Sequence, residues 1–267
     1  GYEQLGTWAF DGHAKDSICC FCAIKDYVRD CVDVHYAIGM ETSRSKNNDG
    51  FDEAVQIAAL SDIAVMVLGE EAILSGEAHC RANINLPGYQ EELINAVHGT
   101  GTPIVLVVMA GRPLTLETIL PKVDAIIYAW HPGTMGGPAI ADLLFGEDCP
   151  SGKLPVTFPR TNGQIPLYYA QKNTGRPASD ETFIDINEIK VRAPQTSLGM
   201  TSTHLDTHFS PLFPFGFGLS YTEFEYKDIK VNQYSLPMGE TIKVAATISN
   251  IGNYDADEIV QLYIRDL

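Results

Sequence analysis

Three carboxylates, a histidine and an arginine lie close together between Gly69 and Arg81, in the sequence GEEAILSGEAHCR. Glu77 lies in the middle of this stretch, directly after Gly76, where its side chain is free to reach outward. A carboxylic acid on a loop that closes over a substrate loses water, and this favours the protonated form that a general acid needs. The alternative is a solvated acidic loop, which is the commoner environment of a glutamate.

Two residues with ring side chains are further candidates. Trp8 is one of only two tryptophans, and it is either a core residue or a flat surface on which a sugar ring stacks. His131 lies in a glycine-rich turn, HPGTMGG, which resembles a phosphate-binding loop only loosely. The chain contains no GxGxxG, GxxxxGKS/T, GxSxG or HExxH motif, and this disfavours nucleotide binding, an α/β-hydrolase and a zinc protease.

The six cysteines do not have the spacing of a disulfide scaffold. Four of them crowd one stretch, at positions 19, 20, 22 and 31, whereas Cys80 and Cys149 stand alone. The crowded stretch does not match zinc-ribbon spacing, and neighbouring cysteines on one helix do not pair easily with each other. We expect small buried apolar residues here, with metal binding as the weaker alternative.

An alternation of strands and helices must position these side chains. Three continuous apolar runs predict strands covered on both faces: Asp62–Gly69, Pro103–Ala110 and Asp124–Trp130. Four segments have helical spacing: Ser17–Val32, Phe51–Leu60, Pro87–Val97 and Gly137–Phe145. We therefore predict an α/β fold, a mainly parallel sheet with helices on both faces, whose site lies on loops at the carboxyl ends of the strands.

Alternation of apolar and polar residues predicts further strands. Val32–Ile38 is a short example. Lys153–Phe158 is predicted as a further short strand, between prolines, whereas Arg160–Phe217 shows no persistent period. After Ser220 the pattern is all β, with alternating apolar residues at Ile242, Val244, Ala246, Ile248, Val260, Leu262 and Ile264. Tyr226 and Ile229 lie on opposite parities of this pattern, which predicts a bulge between them.

Charge and hydropathy exclude several classes of partner. The chain has 18 basic and 34 acidic residues and a net charge of −16, which disfavours nucleic acid and anionic membrane surfaces. No apolar run reaches the roughly 18 residues that a membrane helix needs. The first residues carry no signal-peptide pattern and both ends look cut, so we expect a fragment of a longer protein.

Six motifs in order give the sequence a more specific resemblance. They are AGRP (Ala110–Pro113), WHPGTMGG (Trp130–Gly137), SGKLPVTFPR (Ser151–Arg160), GQIPLYY (Gly163–Tyr169), NTGRP (Asn173–Pro177) and FPFGFGLSYT (Phe213–Thr222). Together they resemble the C-terminal half of family 3 glycoside hydrolases of the bacterial β-glucosidase type. The resemblance implies an α/β-sandwich domain in residues 1–160, an extended connector in 161–220 and an incomplete all-β fibronectin type III-like sandwich in 221–267.

The resemblance also implies roles for individual residues. Glu77 and Arg81, in the EAHCR sequence before Leu86-Pro87, match the loop that carries the family's general acid/base, so Glu77 takes that role and Arg81 a substrate-binding one. Glu70 matches a structural position, and Trp8 matches an aromatic on the aglycone side of the site. The implied enzyme is a retaining, exo-acting β-glucosidase that needs no metal or organic cofactor. Its substrates are β-linked oligosaccharides or aryl and alkyl β-glucosides.

The same resemblance implies parts that these residues do not supply. The family's nucleophile is an aspartate on an N-terminal barrel, which would precede residue 1, as would the first strand of the α/β domain. We expect that barrel to be the chain's partner within one protein, in a periplasmic or secreted location, with a cytoplasmic one left open. Two alternatives remain: a β-xylosidase of the same family, and a non-catalytic carbohydrate-binding or scaffold fragment.

Overall fold

The computed structural model describes residues 1–265 and divides the chain into two compact units. One unit contains residues 1–141 and 155–215, and the other contains residues 142–154 and the chain from Gly216 onward. The predicted regions 1–160, 161–220 and 221–267 stay predictions. No helix among the described residues is long and apolar enough to span a membrane.

A three-stranded parallel sheet forms the centre of the first unit. Its strands are β1 (Ala64–Gly69), β2 (Ile104–Met109) and β3 (Ala125–Tyr128), in the order β1-β2-β3. Ala64 lies opposite Ile104 and Gly69 opposite Met109, so the carboxyl ends of β1 and β2 are level. Five of the six residues of β2 are buried, as expected for a central strand covered on both faces. All three strands that the apolar runs predict are therefore confirmed.

Four α-helices accompany the sheet: α1 (Cys20–Val28), α2 (Phe51–Ala59), α3 (Gln90–His98) and α4 (Gly136–Phe145). Each lies within or beside its predicted segment. Gly146, whose φ of 74° suits the residue after a helix, follows α4. Side chains of α2 and α3 pack with alternate residues of the strands in one hydrophobic core. The most deeply buried members of this core are Ile94, Ile104, Leu106, Val108, Ala110, Leu114, Leu116 and Ile119.

Three segments predicted as strands do not form strands in this structure. Val32–Ile38 has no strand partner among the described residues, and Tyr36 and Ile38 are each 59% exposed. Lys153–Phe158 contributes one bridge, between Phe158 and Phe213. The segment from Val260 to Ile264 has no assigned secondary structure. Alternation marks a chain that suits a sheet, but a strand forms only where a second strand accepts its hydrogen bonds.

The second unit contains an antiparallel pair, β4 (Phe224–Val231) and β5 (Val244–Asn250). The register shifts between Lys227 and Lys230, which confirms the bulge predicted between Tyr226 and Ile229. Every residue of β5 is exposed, so this small sheet has no buried face of its own. The predicted fold class, a parallel α/β sheet followed by an all-β segment, is confirmed.

Candidate functional site

The loop between β1 and α3 carries most of the candidate residues. The residue before it, Gly69, is the last residue of β1 and lies tightly against β2. Gly69 has a φ of 138°, and a Cβ there would overlap the backbone of Met109, so only glycine fits. The amide of Glu70 then donates to the Met109 carbonyl at 2.8 Å. The loop therefore leaves the sheet at the carboxyl end of β1, which is the edge where the sequence predicts the site. We call residues 70–86 the acid loop.

Glu70 is the ionic centre of the acid loop. Its side chain is completely buried, and its carboxylate is paired with the guanidinium groups of Arg81 and Arg112. Arg112 follows the end of β2, and its Nε lies 3.0 Å from the carboxylate. A buried carboxylate with two guanidinium partners is held in place strongly, because charge-assisted hydrogen bonds offset the cost of removing it from water. Glu70 is therefore a structural residue that fixes the root of the loop.

The remaining donors of the two arginines extend this network along the loop. Arg81 donates from Nη2 to the Asn85 carbonyl at 2.9 Å, and Arg112 donates to the carbonyls of Leu74 and His79, the latter at 2.9 Å. Early, middle and late parts of the acid loop are thus joined through Glu70. The guanidinium of Arg81 is engaged within the protein here, and its predicted contact with substrate stays a prediction.

Glu71 is engaged separately, at the outer side of the loop. Arg44 contacts its carboxylate from Nε at 2.8 Å and from Nη2 at 3.0 Å, and the Ser43 hydroxyl donates at 2.7 Å. The hydrogen bonds from Arg44, opposed by partial burial and aided by Ser43, hold the pKa of Glu71 below its ordinary value. Glu71 is therefore a charged surface anchor rather than a proton donor.

Gln90, the first residue of α3, is bonded to Gly69, the last residue of β1. Its buried side chain accepts from the Gly69 amide at 2.7 Å and donates to the Gly69 carbonyl, also at 2.7 Å. A further bond runs from its Nε2 to the Ser43 carbonyl at 2.9 Å. These bonds satisfy buried backbone groups of β1 and fix the helix relative to the strand.

Glu77 differs from the other two loop glutamates. It is exposed, and within residues 1–265 its carboxylate has neither a hydrogen-bond partner nor an ion-pair partner. Ala78, the next residue, has a left-handed backbone with a φ of 64°, and Gly76, before it, has a φ of 157°. The conformation of Ala78 is uncommon for a residue other than glycine, whereas glycine adopts a positive φ readily. The acid loop thus presents one unpaired carboxylate from a fixed frame.

The N-terminal segment places Trp8 beside the same loop. The Thr7 hydroxyl donates to the carbonyls of Ala72 and Ser75, and a Cβ at Gly76 would lie 3.2 Å from the Thr7 methyl group. Trp8 is 57% exposed and stacks edge-on against Phe10, with ring centroids 5.6 Å apart. It is therefore not a core residue. Thr7 and Gly76 lie close together, and Trp8 and Glu77 are the residues that directly follow them in the chain.

His131 supports the acid loop from the turn after β3. Its Nε2 lies 3.0 Å from Ser75 Oγ, whereas its buried Nδ1 has no partner among the described residues. A serine–histidine pair without a carboxylate on Nδ1 lacks the group that orients the base in a catalytic triad. A Cβ at Gly111 would overlap Ser75 Oγ, so this pair also needs the glycine that precedes Arg112. His131 therefore positions the loop.

A cleft of about 450 Å³ lies beside β1, but it is not where Glu77 is exposed. Tyr36, Ile38 and Met40 line it together with Val67, and Glu70 and Glu71 also contribute to its wall. Glu77, Trp8 and Arg81 do not line it. The two acid-loop carboxylates in its wall, Glu70 and Glu71, are neutralised by arginines, and Glu3 and Glu41 also line the cleft.

Two supporting residues were not singled out from the sequence. Arg112 occurs in the AGRP motif, and its place just after β2 is the signal that could have assigned it to the same edge as Glu70. Gln90 lies at the start of a predicted helix and gives no such signal. The described part of the chain contains no group of three or more His, Cys, Asp or Glu side chains that could hold a metal ion.

The chain is similar to known proteins in family, in sequence and in structure. The model of the glycosyl hydrolase family 3 C-terminal domain matches residues 1–221. The periplasmic beta-glucosidase of Salmonella typhimurium is 36% identical and is aligned with 99% of this chain but 35% of its own length. A beta-xylosidase of Formosa agariphila is also 36% identical, over 99% of this chain and 33% of its own length.

A solved structure agrees with these matches. The beta-glucosidase from Listeria innocua, crystallised in complex with gluconolactone, superposes with a TM-score of 0.80 at 34% identity. The superposition covers 94% of this chain and 32% of that one. The chain therefore spans about a third of the length of the relatives that it matches.

Proposed function

Because the chain belongs to glycosyl hydrolase family 3, we propose that it supplies the general acid/base of a retaining, exo-acting β-glucosidase. In this proposal Glu77 is the acid/base, and the nucleophilic aspartate lies outside these 267 residues. The whole protein would release terminal, non-reducing β-D-glucosyl residues from oligosaccharides or from aryl and alkyl glucosides. The periplasmic beta-glucosidase of Salmonella typhimurium and the Listeria innocua beta-glucosidase are relatives whose names support this choice of substrate.

One observation carries the assignment of Glu77. Of the three glutamates on the acid loop, Glu70 and Glu71 are both neutralised by arginines, and Glu77 alone is unpaired within the described residues. A general acid must give its proton to the leaving oxygen, and a carboxylate already held by a guanidinium is a poor donor. The frame around Glu70 keeps the ends of the loop fixed while the middle of the loop stays accessible.

The reaction requires a second carboxyl group. In retaining glycosidases the two groups are roughly 5–5.5 Å apart across the scissile bond. The nucleophile attacks the anomeric carbon while Glu77 protonates the leaving oxygen, and Glu77 then removes a proton from the water that releases the sugar. We propose that Trp8 provides an apolar surface for the aglycone, because its indole is exposed next to the loop.

The test compares leaving groups in the whole protein. Loss of a general acid slows the departure of a poor leaving group most. Glu77→Ala should therefore slow hydrolysis of an alkyl glucoside far more than hydrolysis of a dinitrophenyl glucoside. Azide should restore turnover of the dinitrophenyl substrate, because a small anion can attack the glycosyl-enzyme without a base. The rescue is measured as the amount of glucosyl azide formed, which is detected by chromatography.

Glu71→Ala is the matched control, since it removes a carboxylate six positions away on the same loop. It should show neither the leaving-group dependence nor the azide rescue. Equal slowing of both substrates by Glu77→Ala, with no glucosyl azide formed, would assign the acid/base role to another carboxylate.

A β-xylosidase is the second candidate. The beta-xylosidase of Formosa agariphila and the periplasmic beta-glucosidase of Salmonella typhimurium have the same sequence identity to this chain, 36%. The two candidates differ in the ratio of kcat/KM for a nitrophenyl glucoside and a nitrophenyl xyloside. A ratio well above one supports the glucosidase, and a ratio well below one supports the xylosidase. Neither outcome changes the role proposed for Glu77.

A further inference from the structure

Two thiols meet at the N-terminus of α1, outside the acid loop. Cys19 is the N-cap residue, and its Sγ accepts a hydrogen bond from the amide of Cys22 at 3.2 Å. The two Sγ atoms lie 2.6 Å apart, in direct contact. These are the two positions that a capping box fills with serine or threonine and with glutamate. Here both members of that reciprocal pair are cysteines.

The three cysteines of this stretch have different environments. Cys20 is buried, with 5% of its surface exposed, and burial raises the pKa of its thiol to about 11. Cys19 is half-buried and Cys22 is exposed, so the pair in contact is also the pair that solutes can reach. The expectation of small buried apolar residues in this stretch is therefore correct for Cys20 but wrong for Cys22 and Cys31, which are exposed.

The contact also divides the reactivity between the two thiols. Partial burial would raise the pKa of Cys19, but hydrogen bonds with the thiol and amide of Cys22 outweigh it and lower that pKa. The pKa of Cys22 is raised, chiefly by its side-chain hydrogen bond with Cys19. A helix N-terminus further favours a thiolate. One partner is thus the better nucleophile and the other holds the proton.

We propose that Cys19 and Cys22 form a reversible dithiol–disulfide pair that exchanges with disulfides of low molecular weight. The Cys19 thiolate attacks one sulfur of the external disulfide, and a mixed disulfide forms as the first external thiolate leaves. Cys22 then loses its proton and attacks Cys19 Sγ, and the second external thiolate leaves. Two protein thiols are oxidised, one external disulfide is reduced to two thiols, and the two protons complete those thiols.

The pair is connected to the frame of the candidate site. The Ile18 amide donates to the Thr134 carbonyl at 2.9 Å, and Gln4 Nε2 donates to the Ile18 carbonyl at 3.0 Å. A Cβ at Gly137 would overlap the backbone of Ile18 and Cys19. The start of α1 is therefore held against the turn that contains His131, and disulfide exchange would occur on a fixed scaffold.

The experiment equilibrates the chain with oxidised and reduced glutathione and then blocks the remaining thiols under denaturing conditions. Of six thiols, two should be lost together, with a mass decrease of two hydrogen atoms and no bound glutathione. Peptide mapping should place the new bond between Cys19 and Cys22. Cys19→Ser retains a good N-cap and should abolish the bond, as should Cys22→Ala. Cys31→Ser and Cys80→Ser remove lone exposed thiols and should leave it intact.

A second measurement follows alkylation by iodoacetamide at neutral pH. Cys19 should react faster than Cys31 in the wild type and should lose that advantage in Cys22→Ala, because the thiol partner is gone. Cys20 should not react in the folded chain. Glutathione bound stably at Cys22, a bond involving Cys20, or six thiols retained across the whole buffer series would each overturn the proposal.

Discussion

Neighbouring side chains of the same type have separate roles on the acid loop. Glu70 is neutralised by two arginines and is buried, Glu71 is held at the surface by Arg44, and Glu77 is exposed and unpaired within the described chain. Burial and pairing, rather than residue type, therefore separate the structural carboxylates from the proposed acid/base. That distinction can be tested by neutralising each carboxylate in turn.

Glu70→Gln should destabilise the first unit strongly. The substitution keeps the size of the side chain but leaves Arg81 and Arg112, which are only 19% and 16% exposed, without their counter-charge. Removal of one member of a buried ionic group typically costs about 3–5 kcal/mol. Urea unfolding followed by circular dichroism measures the change in the free energy of unfolding. A loss within error of zero would show that the network does not hold the loop.

Glu71→Gln is the matched control, and we expect a much smaller loss because its partner is exposed. The control also has its own pH dependence. The folded-state pKa of Glu71 is lowered, so its contribution is present above the pKa of an unfolded glutamate, about 4.3. It is lost as the pH falls through the lower folded-state value. The difference between wild type and Glu71→Gln should therefore disappear in acid.

At the scale of elements, the sequence predicts what depends on local pattern. The three parallel strands are found because each is a continuous apolar run, and the bulge before Ile229 is found because side-chain parity changes there. Val32–Ile38 has the alternation of a strand, but among residues 1–265 no strand pairs with it, and no local pattern reveals a missing partner.

The candidate site shows the same limit. The role of Glu77 follows from motif resemblance, and so does the role of Trp8 on the aglycone side; both stay predictions. The pairing of Glu70 with Arg112 joins residues 42 positions apart, and the clamp of Gln90 on Gly69 joins residues 21 positions apart. Such pairings depend on the register of β1 against β2, which no local sequence pattern indicates. The frame of the site was therefore harder to predict than its proposed reactive residue.

The two sheets should differ in their protection from hydrogen exchange. Amides of β2 are covered on both sides by β1 and β3, whereas β4 and β5 form a two-stranded sheet with exposed faces. Two strands without a buried face are marginally stable in water. We expect β4 and β5 to exchange far faster than Leu106–Val108, as measured by mass spectrometry on the chain. Slow exchange throughout β5 in a monomeric sample would contradict this.

At the scale of the whole molecule, the chain spans about a third of the length of its relatives. It carries a net charge of −16, and large apolar side chains such as Leu262 and Ile264 are 66% and 93% exposed.

The isolated 267 residues should not hydrolyse an aryl β-glucoside. Retaining hydrolysis needs two carboxyl groups across one bond, and the proposal assigns only Glu77 to this chain. Release of nitrophenol, compared with buffer alone and with Glu77→Gln, measures the activity. Turnover that disappears in Glu77→Gln would show that the chain contains its own nucleophile.

The register of the parallel sheet has a consequence for the order in which the chain folds. Ile104 lies opposite Ala64 across a crossover of forty residues, whereas Ala125 lies opposite Val105 across only twenty. Doubling a closed loop adds about 0.6 kcal/mol of closure entropy, so β2 and β3 should pair before β1 joins them. The acid loop belongs to the longer crossover and would take its shape last. Although β1 leaves the ribosome first, it pairs only after β2 has been synthesised. The loop that contains Glu77 would then be the last part of the sheet edge to reach its native structure.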